Sequence, residues 1–232
     1  MSGARRDLFV TGTDTGVGKT LVSAALLRAL RSRGLAVAGM KPVASGAART
    51  PGGLCNEDAL ALASENSRPW PYETINPYCF EPAIAPHLAA AEAGVEIRLE
   101  PITQAFRSLQ AGSDTVIVEG AGGFLVPLGP GLSFADLPAA LGLGVILVVG
   151  LRLGCLNHTL LTVEAIEKRG LAFAGWVGNQ VDPDFDRLDA NLEVLLEQVP
   201  APCLGVIPPL RAPDIGIAAT LLGAIPDPRL PS

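Results

Sequence analysis

The strongest constraint on the fold is the segment Gly12–Thr20, which reads Gly-Thr-Asp-Thr-Gly-Val-Gly-Lys-Thr. An apolar run, Leu8–Val10, comes before it, and apolar residues at helical spacing follow from Leu21 onwards. Glycines let the backbone turn successive N–H groups towards phosphate oxygens, and the helix that follows adds unpaired N–H groups and the positive end of its dipole. The segment therefore predicts a strand, a phosphate-binding loop and a helix, in that order.

The side chains of this loop suit a nucleoside triphosphate and its metal ion. Lys19 supplies a mobile positive charge for the terminal phosphates, and the hydroxyl group of Thr20 suits Mg²⁺. The usual motif begins with a glycine at the position that Thr13 holds here, whereas Gly12 lies one residue earlier. The loop is thus a variant of the common phosphate loop, and this departure reduces the number of protein families that the sequence fits.

Length and composition indicate one acidic domain. At 232 residues the chain can bury a large core, and we expect a single domain over residues 1–232. The formal net charge of −6 and the pI near 4.9 argue against nucleic acid or an anionic membrane as the main partner. None of the four cysteines forms a Cys-x-x-Cys pair, which favours reduced thiols and a cytoplasmic protein over a zinc site or a disulfide framework.

Two stretches bear on targeting and membrane insertion. Residues 1–7 contain no apolar core of the kind that a secretory signal has. The uncharged run 137–151 is short for a bilayer and is interrupted by Gly142, Gly144 and Gly150. We interpret it as the end of a helix, a turn and a buried strand, and we expect no membrane span.

Runs rich in β-branched residues predict the strands of one sheet, and amphipathic segments between them predict helices. The predicted strands are Leu8–Val10, Leu35–Met40, Thr115–Val118, Val145–Val149, Phe173–Val177 and Cys203–Ile207. The predicted helices are Leu21–Arg33, Asn56–Ser64, Ile102–Leu109, Leu160–Arg169 and Phe185–Val199. Continuous apolar strands separated by helices are typical of an α/β fold, here a doubly wound, mostly parallel sheet with helices on both faces, as in P-loop NTPases. The Pro-rich stretch 66–86 is interpreted as an irregular surface excursion.

The segments that follow the predicted strands carry the chemically distinctive residues. In open α/β sheets, ligands bind beyond the carboxyl ends of the strands. The segments at those ends are Gly12–Thr20, Lys41–Gly46, Glu119–Gly123, Leu151–His158 and Gly178–Asn179. Because these ends meet at one edge of the sheet, we expect the segments to form one site.

Four side chains at this edge need separate interpretation. Glu119 ends an apolar strand, where phosphate-loop enzymes keep a carboxylate near Mg²⁺. Asp58 is either a second carboxylate for the metal or a helix-start residue that interacts with the helix dipole. Lys41 either faces phosphate in a cleft or is an ordinary exposed lysine. Asn179 either reads adenine through its amide or is a turn residue.

The two histidines, His87 and His158, have no metal-ligand spacing. We interpret His87 as structural, and we place His158 in the first turn of a helix that is capped near Asn157. Neither histidine is expected to bind a metal.

With these segments identified, the chain resembles the dethiobiotin synthetases, the ATP-dependent cyclo-ligases of biotin synthesis. The resemblance runs from Leu8 to about Leu210 and is poor from Arg211 onwards. The motifs that carry it are Val10–Thr20, Gly39–Gly46, Val118–Gly123, Leu153–His158 and Ala174–Asn179. Together they are highly specific, whereas the phosphate loop alone is shared with many ATPases.

The resemblance implies a reaction. One amine of 7,8-diaminononanoate takes up CO₂ to give a carbamate. An oxygen of the carbamate attacks the γ-phosphate of ATP, which gives a carbamic–phosphoric anhydride, and the second amine then closes the ureido ring and expels phosphate. Such a transfer brings anionic oxygens together, so cations and backbone donors must offset their repulsion.

The resemblance also implies a role for each matching residue. The catalytic residues would be Thr15, Lys19, Lys41 and Ser45. Mg²⁺ would be held by Thr20, Asp58 and Glu119. ATP would be bound by Gly16, Val17, Gly18, Lys19, Thr20, Glu119, Asn179 and Pro208. The diamine would be bound by Thr15, Lys41, Ser45, Gly122, Gly154, Cys155 and Asn157, the last three from the partner subunit of a homodimer.

Three other classes of protein compete with this interpretation. Regulatory partition-type ATPases share the fold but carry a lysine early in the loop, where this chain has Asp14. The amidating synthetases of cobalamin synthesis add a glutaminase domain, for which 232 residues leave no room. A non-catalytic binding module is the weakest alternative, because Lys19, Thr20 and Glu119 are all retained.

Overall fold

The computed structural model describes residues 7–223 and 225, and its centre is a six-stranded parallel sheet. The strand order across the sheet is β12-β11-β10-β1-β7-β2, and every neighbouring pair is parallel. These strands are β1 (Leu8–Gly12), β2 (Val37–Met40), β7 (Thr115–Glu119), β10 (Gly144–Leu151), β11 (Phe173–Gln180) and β12 (Cys203–Ile207). Each predicted strand is therefore confirmed, with ends shifted by a few residues.

Short strands form small two-stranded sheets outside this centre. They are β3 (Val43–Ala44), β4 (Ala48–Thr50), β5 (Gly53–Cys55), β6 (Tyr78–Cys79), β8 (Pro127–Gly129) and β9 (Leu132–Ser133). Strand β3 pairs with β6 in parallel, whereas β4 with β5 and β8 with β9 form antiparallel hairpins.

Helices connect the strands of the central sheet. They are α1 (Lys19–Ser32), α2 (Glu57–Glu65), α3 (Tyr72–Ile75), α4 (Pro86–Glu92), α5 (Leu99–Ala111), α6 (Asp136–Leu141), α7 (Cys155–Glu167), α8 (Leu188–Gln198) and α9 (Ile215–Leu221). In the described part of the chain, none of them is long and apolar enough to cross a membrane.

The central sheet is buried on both faces, which explains its continuous apolar strands. Leu8 and Val10 of β1 belong to one apolar cluster with Leu26 of α1, whereas Phe9 belongs to the opposite cluster with Phe106 of α5. Successive side chains of a strand point to opposite faces, so both sets must be apolar when helices cover both sides. The predicted doubly wound α/β fold is confirmed.

The predicted course of the run 137–151 is also confirmed. Helix α6 ends at Leu141, and Gly142 caps it with φ of 69°, in the left-handed region that glycine adopts without steric cost. Strand β10 then begins at Gly144 and is buried from Val145 onwards.

Two predictions of local structure are wrong. The stretch 66–86 is not irregular throughout, because it contains α3 and β6 and reaches the start of α4. Helix α7 begins at Cys155, so Asn157 lies inside its first turn rather than at its cap; Gly154, with φ of 93°, is the capping residue. The statements about residues 1–6, including the absence of a targeting segment, lie outside the described residues, and the single domain over residues 1–232 remains a prediction.

Candidate active site

Val17, a buried residue of the phosphate loop, anchors the loop to the ends of β1 and β10. A side chain on Gly12 would come within 2.6 Å of Val17 Cγ2, and one on Gly150 of β10 would come within 2.6 Å of Val17 Cγ1. Val17 therefore fills the space that these two glycines leave. Asn179, at the end of β11, holds the loop from the side, because its Nδ2 donates to the backbone oxygen of Val17 at 2.9 Å.

The charge at the end of Lys19 is held close to the loop backbone. Its Nζ donates to the backbone oxygen of Asp14 at 3.0 Å. Burial and the nearby positive charge of Lys41 lower the pKa of Lys19 to about 8. An anionic ligand would raise this pKa again, so the site favours a bound phosphate group.

Asp14 uses both of its carboxylate oxygens to shape the loop. Oδ1 accepts from the backbone nitrogen of Thr15 at 2.7 Å, and Oδ2 accepts from Arg152 Nη2 at 2.5 Å. Arg152 follows β10 directly, so this ion pair joins the loop to the neighbouring strand end. The positive charge of Arg152 offsets a carboxylate that would otherwise repel phosphate.

Lys41 is, with Glu119, one of the two most enclosed charged groups of the site. Its side chain is 3% exposed, and its Nζ donates to Glu119 Oε1 at 2.6 Å, to Asp58 Oδ2 at 2.8 Å and to the backbone oxygen of Gly120 at 3.0 Å. Burial alone would lower the pKa of Lys41, but Glu119 and Asp58 outweigh burial and raise it. The side chain is thus an ammonium ion inside the protein and not an ordinary exposed lysine.

Helix α2 brings Asp58 to this ammonium group. Asn56 caps the helix, since its side chain accepts from the backbone nitrogen of Ala59 at 3.3 Å. A side chain on Gly39 of β2 would come within 2.9 Å of Leu62 Cβ, so the missing Cβ lets α2 approach the strand closely. Asp58 lies in the first turn of α2, as expected for a helix-start residue, and its role as a metal carboxylate stays a prediction.

The residues predicted to hold Mg²⁺ fit a hard cation. The side chain of Glu119 is fully buried, and within residues 7–223 and 225 its Oε2 has no hydrogen-bond partner. Thr20 Oγ1 donates to Glu119 Oε1 at 2.9 Å, so the hydroxyl and the carboxylate are adjacent. Magnesium is usually bound through one or two carboxylates together with substrate phosphates. The described residues contain no group of three or more His, Cys, Asp or Glu that could hold a metal, and phosphate oxygens and water are the ligands that would complete the shell.

These side chains line one cavity of about 710 Å³. It brings together ten of the predicted site residues: Thr15, Gly16, Gly18, Lys19, Thr20, Lys41, Ser45, Asp58, Glu119 and Gly122. The rest of its wall is mostly apolar and was not among the predicted site residues: Ala44, Asn56, Ala83, Ile84, Ala85, Pro86, Ala121 and Val126. The cavity therefore has a charged end at the phosphate loop and an apolar side formed by the loop before α4.

Asn56 is the one member of this wall that a sequence signal identifies, because an asparagine before an amphipathic segment is typical of a helix cap. Its Nδ2 also donates to the backbone oxygen of Ser45 at 3.3 Å, so it links α2 to the segment that carries Ser45. The apolar residues of the wall lie in irregular segments, in the two-residue strand β3 or at the first position of α4, and give no periodic signal.

The other predicted site residues lie along the same sheet edge but outside this cavity. Asn179 and Pro208 are neighbours, because Asn179 is in register with Ile207 of β12 and Pro208 comes next. They lie on the far side of the phosphate loop from Lys41, in the strand order given above. At the start of α7, Cys155 is buried and Asn157 is exposed, and neither they nor Gly154 line the cavity of their own chain.

A parallel sheet with a phosphate loop after its first strand defines an α/β P-loop protein, and solved structures agree. A ParA family ATPase from Chlorobium tepidum aligns with a TM-score of 0.55 at 12% identity, covering 93% of this chain and 89% of its own. The MinD cell division protein of Aquifex aeolicus aligns with a TM-score of 0.54 at 15% identity, covering 92% and 86%. At such low identities these likenesses show the fold alone.

Sequence relatives define the family more narrowly. A family model described as an AAA domain matches residues 6–214. The ATP-dependent dethiobiotin synthetase BioD of Pseudomonas paraeruginosa is 56% identical over 91% of this chain and 92% of its own length, and that of Xanthomonas oryzae is 53% identical over 93% and 95%. The chain belongs to the family of ATP-dependent dethiobiotin synthetases. The resemblance inferred from the motifs is confirmed, and the partition-type alternative is not favoured.

Proposed function

We propose that the chain is a dethiobiotin synthetase that converts 7,8-diaminononanoate, CO₂ and Mg-ATP into dethiobiotin, ADP and phosphate. The observation that carries this proposal is the position of Lys41. Its buried ammonium group contacts both carboxylates suited to a metal, and all three groups line one cavity with an apolar wall. A positive charge at that junction suits a reaction in which a carbamate on an aliphatic diamine meets a phosphate group.

The proposed chemistry starts with the substrate amine. One amine attacks CO₂, loses a proton and becomes a carbamate. A carbamate oxygen then attacks the γ-phosphorus while the bond to the bridging oxygen of ADP breaks. The second amine attacks the carbonyl carbon, phosphate leaves with one oxygen of the original CO₂, and a proton is released as the ureido ring closes.

The positions of the chain's own residues in the cavity support the following roles. Lys19 would bind the β- and γ-phosphates, and Lys41 would bridge the carbamate and the γ-phosphate. Thr15 and Ser45 line the same cavity and would donate hydrogen bonds to the anionic oxygens, and Gly122 would let the substrate lie against the backbone. Holding the carbamate in line with the γ-phosphate turns an unfavourable encounter between anions into a positioned transfer.

Thr20, Asp58 and Glu119 would hold Mg²⁺ beside the phosphates. When bound, the ion neutralises charge that develops on the β- and γ-phosphate oxygens. The buried Oε2 of Glu119 supports this assignment, since an unpartnered anionic oxygen inside a protein is costly.

Adenine would bind beside Asn179, near the backbone around Pro208. The order of the strand ends supports this site, because the β11 and β12 ends lie beside the phosphate loop on the side away from Lys41. The Nδ2 of Asn179 already donates to Val17, so Asn179 would position the loop as well as meet the base.

We also propose a cytoplasmic homodimer of single-domain subunits in which Gly154, Cys155 and Asn157 serve the partner's cavity. The N-terminal end of α7, where these residues lie, would receive the tail carboxylate of the diamine. Leu153 just before this helix, Leu161 within it and Leu125 are 91%, 57% and 54% exposed. Leu125 and Leu161 line one shallow groove with His158, and such a surface suits burial against a second copy.

The test is product analysis with the purified chain. Incubation with 7,8-diaminononanoate, bicarbonate and Mg-ATP should give dethiobiotin and ADP in equal amounts, as measured by mass spectrometry and chromatography. Lys19→Ala should lower the rate by roughly 100-fold or more, because it removes a charge that contacts the transferred phosphate. ATP hydrolysis that is equally fast without the diamine, with no dethiobiotin formed, would reject the proposal and favour a regulatory ATPase.

A further inference from the structure

Every N–H donor of the Lys41 ammonium group is matched by an acceptor within the protein. A lysine ammonium has three N–H donors and no acceptor. All three are matched here, by Asp58 Oδ2, Glu119 Oε1 and the backbone oxygen of Gly120. The proposed reaction needs this ammonium group to contact the carbamate and the γ-phosphate, so at least one of the three contacts must open first.

The same two carboxylates are also those that fit Mg²⁺. Glu119 Oε1 already accepts from both Thr20 and Lys41, whereas Oε2 has no partner in the part of the chain that the structure describes. Asp58 gives one of its oxygens to Lys41 as well. The ammonium group of Lys41 and a bound Mg²⁺ would therefore compete for the carboxylates of Asp58 and Glu119.

We propose that Lys41 is the resident counter-ion of the Asp58–Glu119 pair and keeps free divalent cations out until a triphosphate is bound. This inference rests on the proposed function, because it assigns Lys41 a second role in that same site. With Lys41 in place, the three charged groups carry a net charge of only −1, and a free cation is repelled by the ammonium group as well. A cation that arrives with a triphosphate brings anionic ligands of its own and depends less on the two carboxylates.

The contact with Asp58 is the one that opens. Asp58 is 43% exposed and lies in the first turn of α2, whereas Glu119 is fully buried and the Gly120 acceptor is backbone. Turning Asp58 towards the metal frees one N–H of Lys41 while the other two contacts keep the ammonium group in place. Arrival of the metal–triphosphate complex and release of Lys41 for the carbamate thus become one event.

The test measures Mn²⁺ binding to the full chain without nucleotide. Free Mn²⁺ gives a sharp electron paramagnetic resonance signal that bound Mn²⁺ loses, so the dissociation constant is read without any turnover. Lys41→Met should bind Mn²⁺ roughly tenfold or more tightly than the wild type, because both carboxylates lose their counter-ion. Circular dichroism and thermal melting check that the variant is folded.

Lys19→Met is the matched control. It removes the same charge from the same cavity, but Lys19 donates to the backbone oxygen of Asp14 and not to a carboxylate. We expect a gain in Mn²⁺ affinity much smaller than that of Lys41→Met. If Lys41→Met does not fold, Lys41→Gln replaces it, because glutamine keeps an N–H donor for Glu119 and removes the charge.

Two results would overturn the inference. One is an Mn²⁺ affinity in folded Lys41→Met or Lys41→Gln that does not exceed the wild-type value; the other is an equal gain in Lys19→Met. Dethiobiotin formation by the wild type is assayed in parallel. Normal product formation by the wild type, with no gain in Mn²⁺ affinity in the Lys41 variants, would reject the counter-ion role alone. A gain in Mn²⁺ affinity without product formation by the wild type would reject the proposed function alone.

Discussion

Lys19 and Lys41 line the same cavity, yet their surroundings shift the pKa of each in opposite directions. Burial and the charge of Lys41 lower the pKa of Lys19 to about 8, whereas Glu119 and Asp58 outweigh burial at Lys41 and raise its pKa. Lys41 therefore remains charged throughout the physiological pH range. Lys19 is the group that loses its proton just above that range.

This difference predicts how ATP affinity depends on pH. A triphosphate binds the ammonium form of Lys19, which is the main form below pH 8 and the minor form above it. Binding of a non-hydrolysable ATP analogue, measured by calorimetry, should be nearly constant up to neutral pH. It should then weaken about tenfold between pH 7 and pH 9, since one pH unit above the pKa leaves about a tenth of the charged form.

Lys19→Arg is the control for this pH dependence. A guanidinium group does not lose its proton in this range, so the dissociation constant of the variant should be flat between pH 7 and pH 9, whatever its absolute value. A flat profile for the wild type would show that Lys19 is fully charged there and that the argument from burial is wrong.

At the scale of elements, the phosphate loop is held by its neighbours as much as by its own sequence. Gly18 has φ of 90° and caps α1, and a side chain on it would come within 2.2 Å of Asn179 Nδ2. Asn179 cannot move aside freely, because its amide is buried and donates to Val17. The end of β11 thus fixes the conformation of a loop that follows β1.

Gly18→Ala should therefore lose both stability and nucleotide affinity. The left-handed conformation costs a non-glycine residue about 1–2 kcal/mol, and displacing Asn179 adds the loss of a buried hydrogen bond. Gly34→Ala is the control, because Gly34 has φ of 81° but, among the residues that the structure describes, nothing within 4 Å of an added Cβ. Denaturant unfolding should show a clearly larger loss for Gly18→Ala, and equal losses with unchanged ATP affinity would contradict this account.

The central strands and helices could be predicted from the sequence because each is long enough to show a hydrophobic pattern. Buried parallel strands such as β10 are continuous apolar runs, and α1 shows helical spacing over several turns. Strands of two or three residues, such as β3 and β6, are too short for any periodic pattern. The start of α7 was misplaced because Asn157 looked like a cap, whereas the left-handed Gly154 holds that position.

The site could be predicted in part for a similar reason. Glu119 and the phosphate loop follow strands, so their shared edge is implied by the fold. The state of Lys41 could not be decided, because its burial depends on α2 and β7, which are distant in sequence and meet only in the folded chain. The Arg152–Asp14 ion pair was missed for the same reason.

At the scale of the whole molecule, the proposed dimer divides each site between two chains. Lys41 lies in the cavity of its own chain, whereas Asn157 lies outside that cavity as an exposed residue of the first turn of α7. If Asn157 serves the partner, the two residues of one active site come from different subunits. One chain alone would then lack part of its diamine site.

Subunit mixing tests this division. Lys41→Ala and Asn157→Ala chains should each have low activity, but after exchange every mixed dimer would contain one site without either lesion. Activity should rise towards about a quarter of the wild-type value, since half of randomly formed dimers are mixed and one of their two sites is intact. The measurement is the rate of dethiobiotin formation after exchange, with mixed dimers verified by mass spectrometry.

The matched control mixes Lys41→Ala with Lys19→Ala. Both of these residues line the cavity of their own chain, so neither site of a mixed dimer is intact and activity should not rise. If activity does not rise when the Lys41→Ala and Asn157→Ala chains are mixed, despite proven exchange, both residues act within one chain.

Attack of a carbamate oxygen on the γ-phosphate leaves an isotopic record, because an oxygen of CO₂ is transferred to the phosphate. Carbon-labelled bicarbonate and oxygen-labelled CO₂ are supplied with the diamine and Mg-ATP, and the reaction is stopped quickly because CO₂ exchanges oxygen with water. The account predicts that labelled carbon is found in the ureido carbonyl and that one labelled oxygen leaves with the phosphate. Phosphate without any oxygen from CO₂, while labelled dethiobiotin forms, would contradict it.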